Sequence, residues 1–167
     1  METIAVYWES TIKVYGISLK QGLVLVQLTF PNKEIEIIGN KLLSLDDSDC
    51  RFEFITQDHI DSQYLRLNIV LDEVNWNTAQ TQIEQWAAVD GCTLDILTSL
   101  ELVFLHGPHF QDRYGIADAV YSSLVQKQID IIAAGCAGTS VYLLFKEGYG
   151  TQAHDLLNKA FIIPTTS

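Results

Sequence analysis

The chain has 167 residues, 48% apolar and 19% charged, with a formal net charge of −11, a globular composition long enough for one large domain or two small ones. Ten Lys and Arg residues, thinly spread in that acidic background, exclude nucleic acid and anionic membrane surfaces as partners. No apolar run reaches the roughly 20 residues of a spanning helix, and METIAVYWES has neither a basic region nor a cleavage site, so a cytoplasmic protein is expected.

The first segment, TIAVYWESTIKVYGISLK, alternates apolar and polar residues and predicts one or two strands. Gln21-Gly22 reads as a turn. LVLVQLTF (23–30) is apolar on both faces, as a central strand would be. Pro31-Asn32 closes it, and Ile35, Ile38, Leu42 and Leu45 recur at helical spacing. The acidic turn Asp46-Asp47-Ser48-Asp49 lacks the glycine and closing glutamate of a calcium loop and reads as a solvated helix end. RFEFITQ and YLRLNIVLD form a hairpin, with Leu65, Leu67, Ile69 and Leu71 on one face. Asn75 or Asn77 caps the next helix, whose apolar side holds Ala79, Ile83, Trp86 and Ala87; Gly91 ends it before the strand CTLDIL.

The pattern then starts again. Leu102 to Leu105 are a strand, broken at His106-Gly107-Pro108, and Ile116, Ala117, Val120, Leu124 and Val125 mark an amphipathic helix. IDIIAAGCAG, a reversal at Gly138-Thr139, and VYLLF give a second hairpin. A Gly-Tyr-Gly loop (148–150) precedes a helix with Ala153, Leu156, Leu157, Ala160 and Phe161 on one stripe. The period is roughly 79 residues, which argues a duplicated domain. The fold class expected is therefore α+β: two tandem ferredoxin-like βαββαβ units with antiparallel sheets and helices on one face. Their bounds are 19–99 and 100–167. The second unit lacks a fourth strand, and residues 12–18 are expected to supply it.

Chemistry is sparse. No phosphate-binding, metalloprotease or nucleophile-elbow motif is present. His106, His109 and Asp112 lie near one another in the chain but read as loop decoration, and the widely separated Cys50, Cys92 and Cys136 read as free thiols. No catalytic residue, metal or cofactor is expected.

The strand ending near Gly107, the Gly-Ile-Ala at 115–117 opening a helix, and Ile129-Asp130-Ile131 opening the next strand resemble the last ACT domain of aspartate kinases. In the first unit, Phe52 to Asp58 is similar to the family's second-strand motif. Gln57 stands unchanged, Glu53 replaces an Asp, and Asp58 replaces an Asn. The loop Pro31-Asn32-Lys33-Glu34-Ile35-Glu36 departs from the family by lacking its helix-opening glycine.

The resemblance implies a stand-alone regulatory or sensor module that binds a small amino-acid effector at an interface between ACT domains. It also implies a homodimer and a partner enzyme of amino-acid metabolism. The alternative is a ligand-free interaction protein. The effector carboxylate is expected at Gly115, Ile116 and Ala117, its ammonium at Asp112 and Asp130, with Gln57 and Asp58 completing an interface site.

Overall fold

Glycine and serine decide where the strands of this chain do not break. In the computed structural model, which describes residues 12–46, 50–107 and 115–163, β1 runs without interruption over Gly16–Pro31. The turn expected at Gln21-Gly22 is absent: Gly22 takes φ 68° inside the strand, a conformation glycine adopts without a Cβ penalty. The strands expected at 92–97 and 102–105 likewise merge into β4, Thr93–His106, with Ser99 at φ 56°.

The remaining elements are α1 (Ile35–Asp46, entered through a 3-10 turn at Asn32–Glu34), β2 (Phe54–His59), β3 (Tyr64–Asp72), α2 (Glu73–Glu84), α3 (Ile116–Val125), β5 (Ala133–Ala137), β6 (Ser140–Lys146) and α4 (Tyr149–Ala160). The fold is α+β, an antiparallel sheet with four α-helices. By contact density the chain divides into one unit of residues 21–100 and another of residues 1–20 with 101–167.

In the unit of residues 21–100 the strand order is β2-β3-β1-β4. Val24, Val26, Leu28 and Phe30 of β1 and Leu65, Leu67, Ile69 and Leu71 of β3 face one core, filled by Ile38, Trp76, Ile83 and Trp86 from the helical segments. Leu23 and Leu25 on the opposite face of β1 are also fully buried, which is why this strand is apolar on both sides. The helix cap differs from expectation. Asp72 caps α2 by accepting from the Asn75 amide at 2.8 Å, and Asn75 reaches back to the same carboxylate. After Glu84 the helix tightens to a 3-10 turn at Gln85–Ala88, which buries Trp86 and leaves Ala87 exposed.

In the other unit, the Gly16–Lys20 part of β1 lies in the order β1-β4-β6-β5. The chain before it is pinned by Val14 N–H donating to Ile162 O at 2.9 Å and Tyr15 N–H to His106 O at 2.7 Å. Val103, Leu105, Leu143 and Phe145 of the strands pack with Ile116, Val120 and Leu124 of α3 and Ala153 and Leu157 of α4. The Gly-Tyr-Gly segment is the start of α4, with Gly148 at φ 81° as its cap residue. Glu101, 2% exposed, accepts from the Thr151 amide at 3.0 Å and so takes one of α4's orphan donors. The strand expected from Ile129 begins only at Ala133, because Ile129 turns into the core against the end of α3.

Candidate functional site

Three helices in this chain have an N-terminus whose first turn follows directly from a cap residue, and they are served differently. At α2 the donor is met by Asp72, and at α4 by Glu101. At α3 the cap residue is Gly115, left-handed at φ 89°, which has no side chain to offer. The first intrahelical bond is Ala119 N–H to Gly115 O at 2.9 Å, so the amides of Ile116, Ala117 and Asp118 precede it and have no partner within the helix. A Cβ built on Gly115 would meet nothing within 4 Å. Among the described residues nothing fills the helix start.

What it opens on is set by the neighbouring hairpin. Ala134 pairs with Leu143 and Cys136 with Val141 across β5 and β6, placing these four on the face against which α3 packs. Ile116 and Val120 cover Leu143, while Ala134 and Cys136 on the edge strand stay exposed. The result is a cavity of about 480 Å³ lined by Gly115, Ile116, Ala117, Val120, Tyr121 and the residues of that hairpin face. That volume lies within the usual range for small-molecule sites. None of the described side chains that line it carries a charge.

Of the residues singled out from the sequence, Gly115, Ile116 and Ala117 line this cavity together. Asp130 is exposed beyond the far end of α3 and does not line it. Asp112 lies outside the described residues, as do His109 and most of the acidic turn after α1. Gln57 and Asp58 belong to β2 in the unit of residues 21–100. Asp58 accepts from the Asn68 amide at 3.1 Å, Asn68 also donates to Thr56 Oγ1 at 3.2 Å, and Gln27 donates to Asn68 Oδ1 at 2.8 Å. Buried Asn68 thus ties three strands with its hydrogen-bonding capacity used. Gln57 is exposed. The hairpin half of the cavity was missed by sequence reasoning, since an alanine and cysteine edge strand looks like ordinary packing until its partner helix is known to stop short.

His106 packs against Tyr15 and Phe104, with ring centroids at 5.3 and 6.1 Å, and its Nδ1 lies 3.0 Å from Ser140 Oγ. His154 Nε2 donates to Ile17 O at 3.2 Å. Both are held by structure. Among the described residues no group of three His, Cys, Asp or Glu side chains is placed to hold a metal ion. Likewise, none of the described helices is long and apolar enough to cross a membrane.

This arrangement of strands and helices is the fold of aspartate kinase regulatory regions. The regulatory subunit of aspartate kinase from Thermus thermophilus superposes with a TM-score of 0.78 at 13% identity, covering 89% of this chain and 99% of its own. Aspartate kinase from Synechocystis gives 0.80 at 13% identity over 95% of this chain, which spans 29% of that protein. Aspartokinase III of E. coli, solved in complex with lysine and aspartate, gives 0.63 at 17% identity, covering 93% of this chain and 35% of that one. No family model and no curated protein matches the chain. At these identities the likeness is one of fold.

Proposed function

We propose that this chain is a regulatory module that binds a small amino acid in the cavity between α3, β5 and β6, and that it is built from two ACT-type βαββαβ units in tandem. The observation that carries the reading is the left-handed start of α3, which no described side chain fills, facing a cavity whose described lining is uncharged. A helix N-terminus with free N–H groups and a positive dipole end favours an anion, and a glycine there lets a carboxylate approach the backbone. The α-carboxylate is assigned to the amides of Ile116 and Ala117. The ammonium is assigned, from the sequence, to Asp112 of the preceding loop, with Asp118 of the first turn standing outside the cavity lining. Likeness in fold to aspartate kinase regulatory subunits supports a regulatory role, and an enzyme of amino-acid metabolism is the partner this implies. A paired second copy of the chain belongs to the same reading.

A second reading, a ligand-free interaction protein, is favoured by the start of α1, where the helix-opening glycine is missing and Glu34 and Glu36 flank Ile35 in the first turns. A thermal-shift screen of the proteinogenic amino acids separates the two. A ligand at 100 times its Kd adds about 2.7 kcal/mol to stability, well above detection. Calorimetric titration of Gly115→Val then locates the site. A side chain at φ 89° costs about 1–3 kcal/mol of stability and projects into open space at the helix start, so binding should be lost while the variant still folds. Unchanged affinity in Gly115→Val places the site elsewhere, and silence from every amino acid hands the case to the interaction protein.

A further inference from the structure

We infer that the amino acid taken by this cavity has an apolar side chain, so that the module senses a hydrophobic amino acid and discriminates against charged ones. The inference rests on the amino-acid reading above and adds the identity class of the ligand. Once the carboxylate is fixed at the amides of Ile116 and Ala117, the side chain must lie along what remains of the cavity. That remainder is Val120 and Tyr121 of α3 facing Ala134, Cys136, Val141 and Leu143 of the hairpin.

Val120 and Leu143 are 1% exposed and form a floor of hydrocarbon, and Val141 is half-buried beside them. Tyr121 is 46% exposed, and with exposed Ala134 and Cys136 it leaves apolar surface uncovered at the rim, which an apolar ligand would bury. A lysine or aspartate side chain would instead lose water against this surface and find no counter-charge among the described lining residues. Discrimination against threonine should be weak, because an apolar pocket rejects an added hydroxyl poorly. The small residues Ala134 and Gly135 leave room for branched and aromatic side chains alike.

The test is calorimetric titration of the full chain with L-isoleucine, L-leucine, L-phenylalanine, L-lysine and L-aspartate, repeated on Ala134→Asp. At least one hydrophobic amino acid should bind tenfold or more tightly than lysine and aspartate. Ala134→Asp should weaken that ligand at least tenfold and raise lysine relative to it. Lysine or aspartate binding as tightly as the best hydrophobic amino acid overturns the inference and leaves the amino-acid reading standing; binding by none of the five, nor by any amino acid in the thermal screen, overturns both. Alkylation of Cys136 by monobromobimane in the unmodified chain gives a readout independent of the variant's folding. The hydrophobic ligand should slow it severalfold at saturation, and an unchanged rate overturns the placement of the side chain.

Discussion

The two units of this chain begin their first helices in opposite ways. In residues 21–100 the strand ends at Pro31, whose ring lies 2.8 Å from where a Cβ on Gly91 would sit, and the chain tightens into a 3-10 turn before α1. The groups there are acceptors. Glu34 and Glu36 stand in the first turns, and the buried Asn32 Oδ1 has no partner among the described residues. Lys33 lies 3.6 Å from Glu34 and 3.8 Å from the exposed Asp90, and one lysine among these carboxylates and Glu36 leaves the excess charge negative. In the other unit Gly115 starts α3 with donors and an open cavity. The same topological position is closed and acidic once, open and donor-rich once. The two helix entries therefore differ in what they offer a carboxylate, because the polarity of the entry decides whether an anion is favoured there.

A similar exchange occurs at the second helix of each unit, and it sets the largest effect expected of substitution. Gly22 lies beside Glu73 at the start of α2, where an added Cβ would meet Glu73 Cδ at an ordinary 3.7 Å. At the start of α4 the small residue is on the helix and the carboxylate on the strand: a Cβ on Gly150 would fall 2.5 Å from Glu101 Cβ and 2.7 Å from its Oε2. Both residues are buried, so neither can give way easily. Gly150→Ala should therefore cost about 3 kcal/mol through overpacking, while Gly22→Ala should cost about 1 kcal/mol through its positive φ alone. Urea denaturation of the two variants checks this, and equal midpoints would remove the distinction between the two helix starts.

Much of this was legible in the sequence, and the misses share a cause. β3 and the apolar faces of α3 and α4 follow from periodicity, since each buries one face against one core. The open start of α3 was readable because a glycine before an apolar helical pattern signals a special backbone. The continuity of β1 was hidden because Gly22 looks like a turn when its φ is unknown, and that of β4 because the boundary between the two repeats falls after Ser99. The cap on α4 was unreadable. Glu101 and Thr151 are distant in the chain, and a charge at the head of an apolar run gives no hint of its partner. The cavity needed the hairpin register, which pairs Ala134 with Leu143.

The thiols give a second way to sharpen the contrast. Cys92 sits in the unit with the acidic entry, and burial first, then the charges of Glu34 and Asp90, push its thiol pKa above the ordinary value against a smaller opposing effect of Lys41. Burial, with Asp72, does the same to Cys50. Because the thiolate is the nucleophile, raising the pKa lowers the reactive fraction at neutral pH. Cys136 is exposed at the open cavity. Alkylation at pH 7.5 followed by peptide mass spectrometry should find Cys136 labelled at least tenfold faster than Cys92, with Cys50 slowest. Cys92 labelling should rise only above the pH at which an ordinary thiol ionises. Glu34→Gln should move that rise to lower pH, and an unmoved profile would mean the acidic entry does not act on the thiol.

The smallest effect expected concerns the two strands that run on where a break was predicted. Gly22 meets a positive φ with the residue suited to it, whereas Ser99 holds φ 56° with a Cβ. A non-glycine residue in that region carries about 1–2 kcal/mol of strain, and replacing it by glycine returns part of this as entropy gained by the unfolded chain. Ser99 is exposed, so no packing is lost with its side chain. Ser99→Gly should therefore stabilise the protein by about 0.5–1 kcal/mol, seen as a higher urea midpoint with an unchanged slope. Should the midpoint fall instead, the strain at Ser99 is already compensated locally, and the parallel drawn between the Gly22 and Ser99 positions fails.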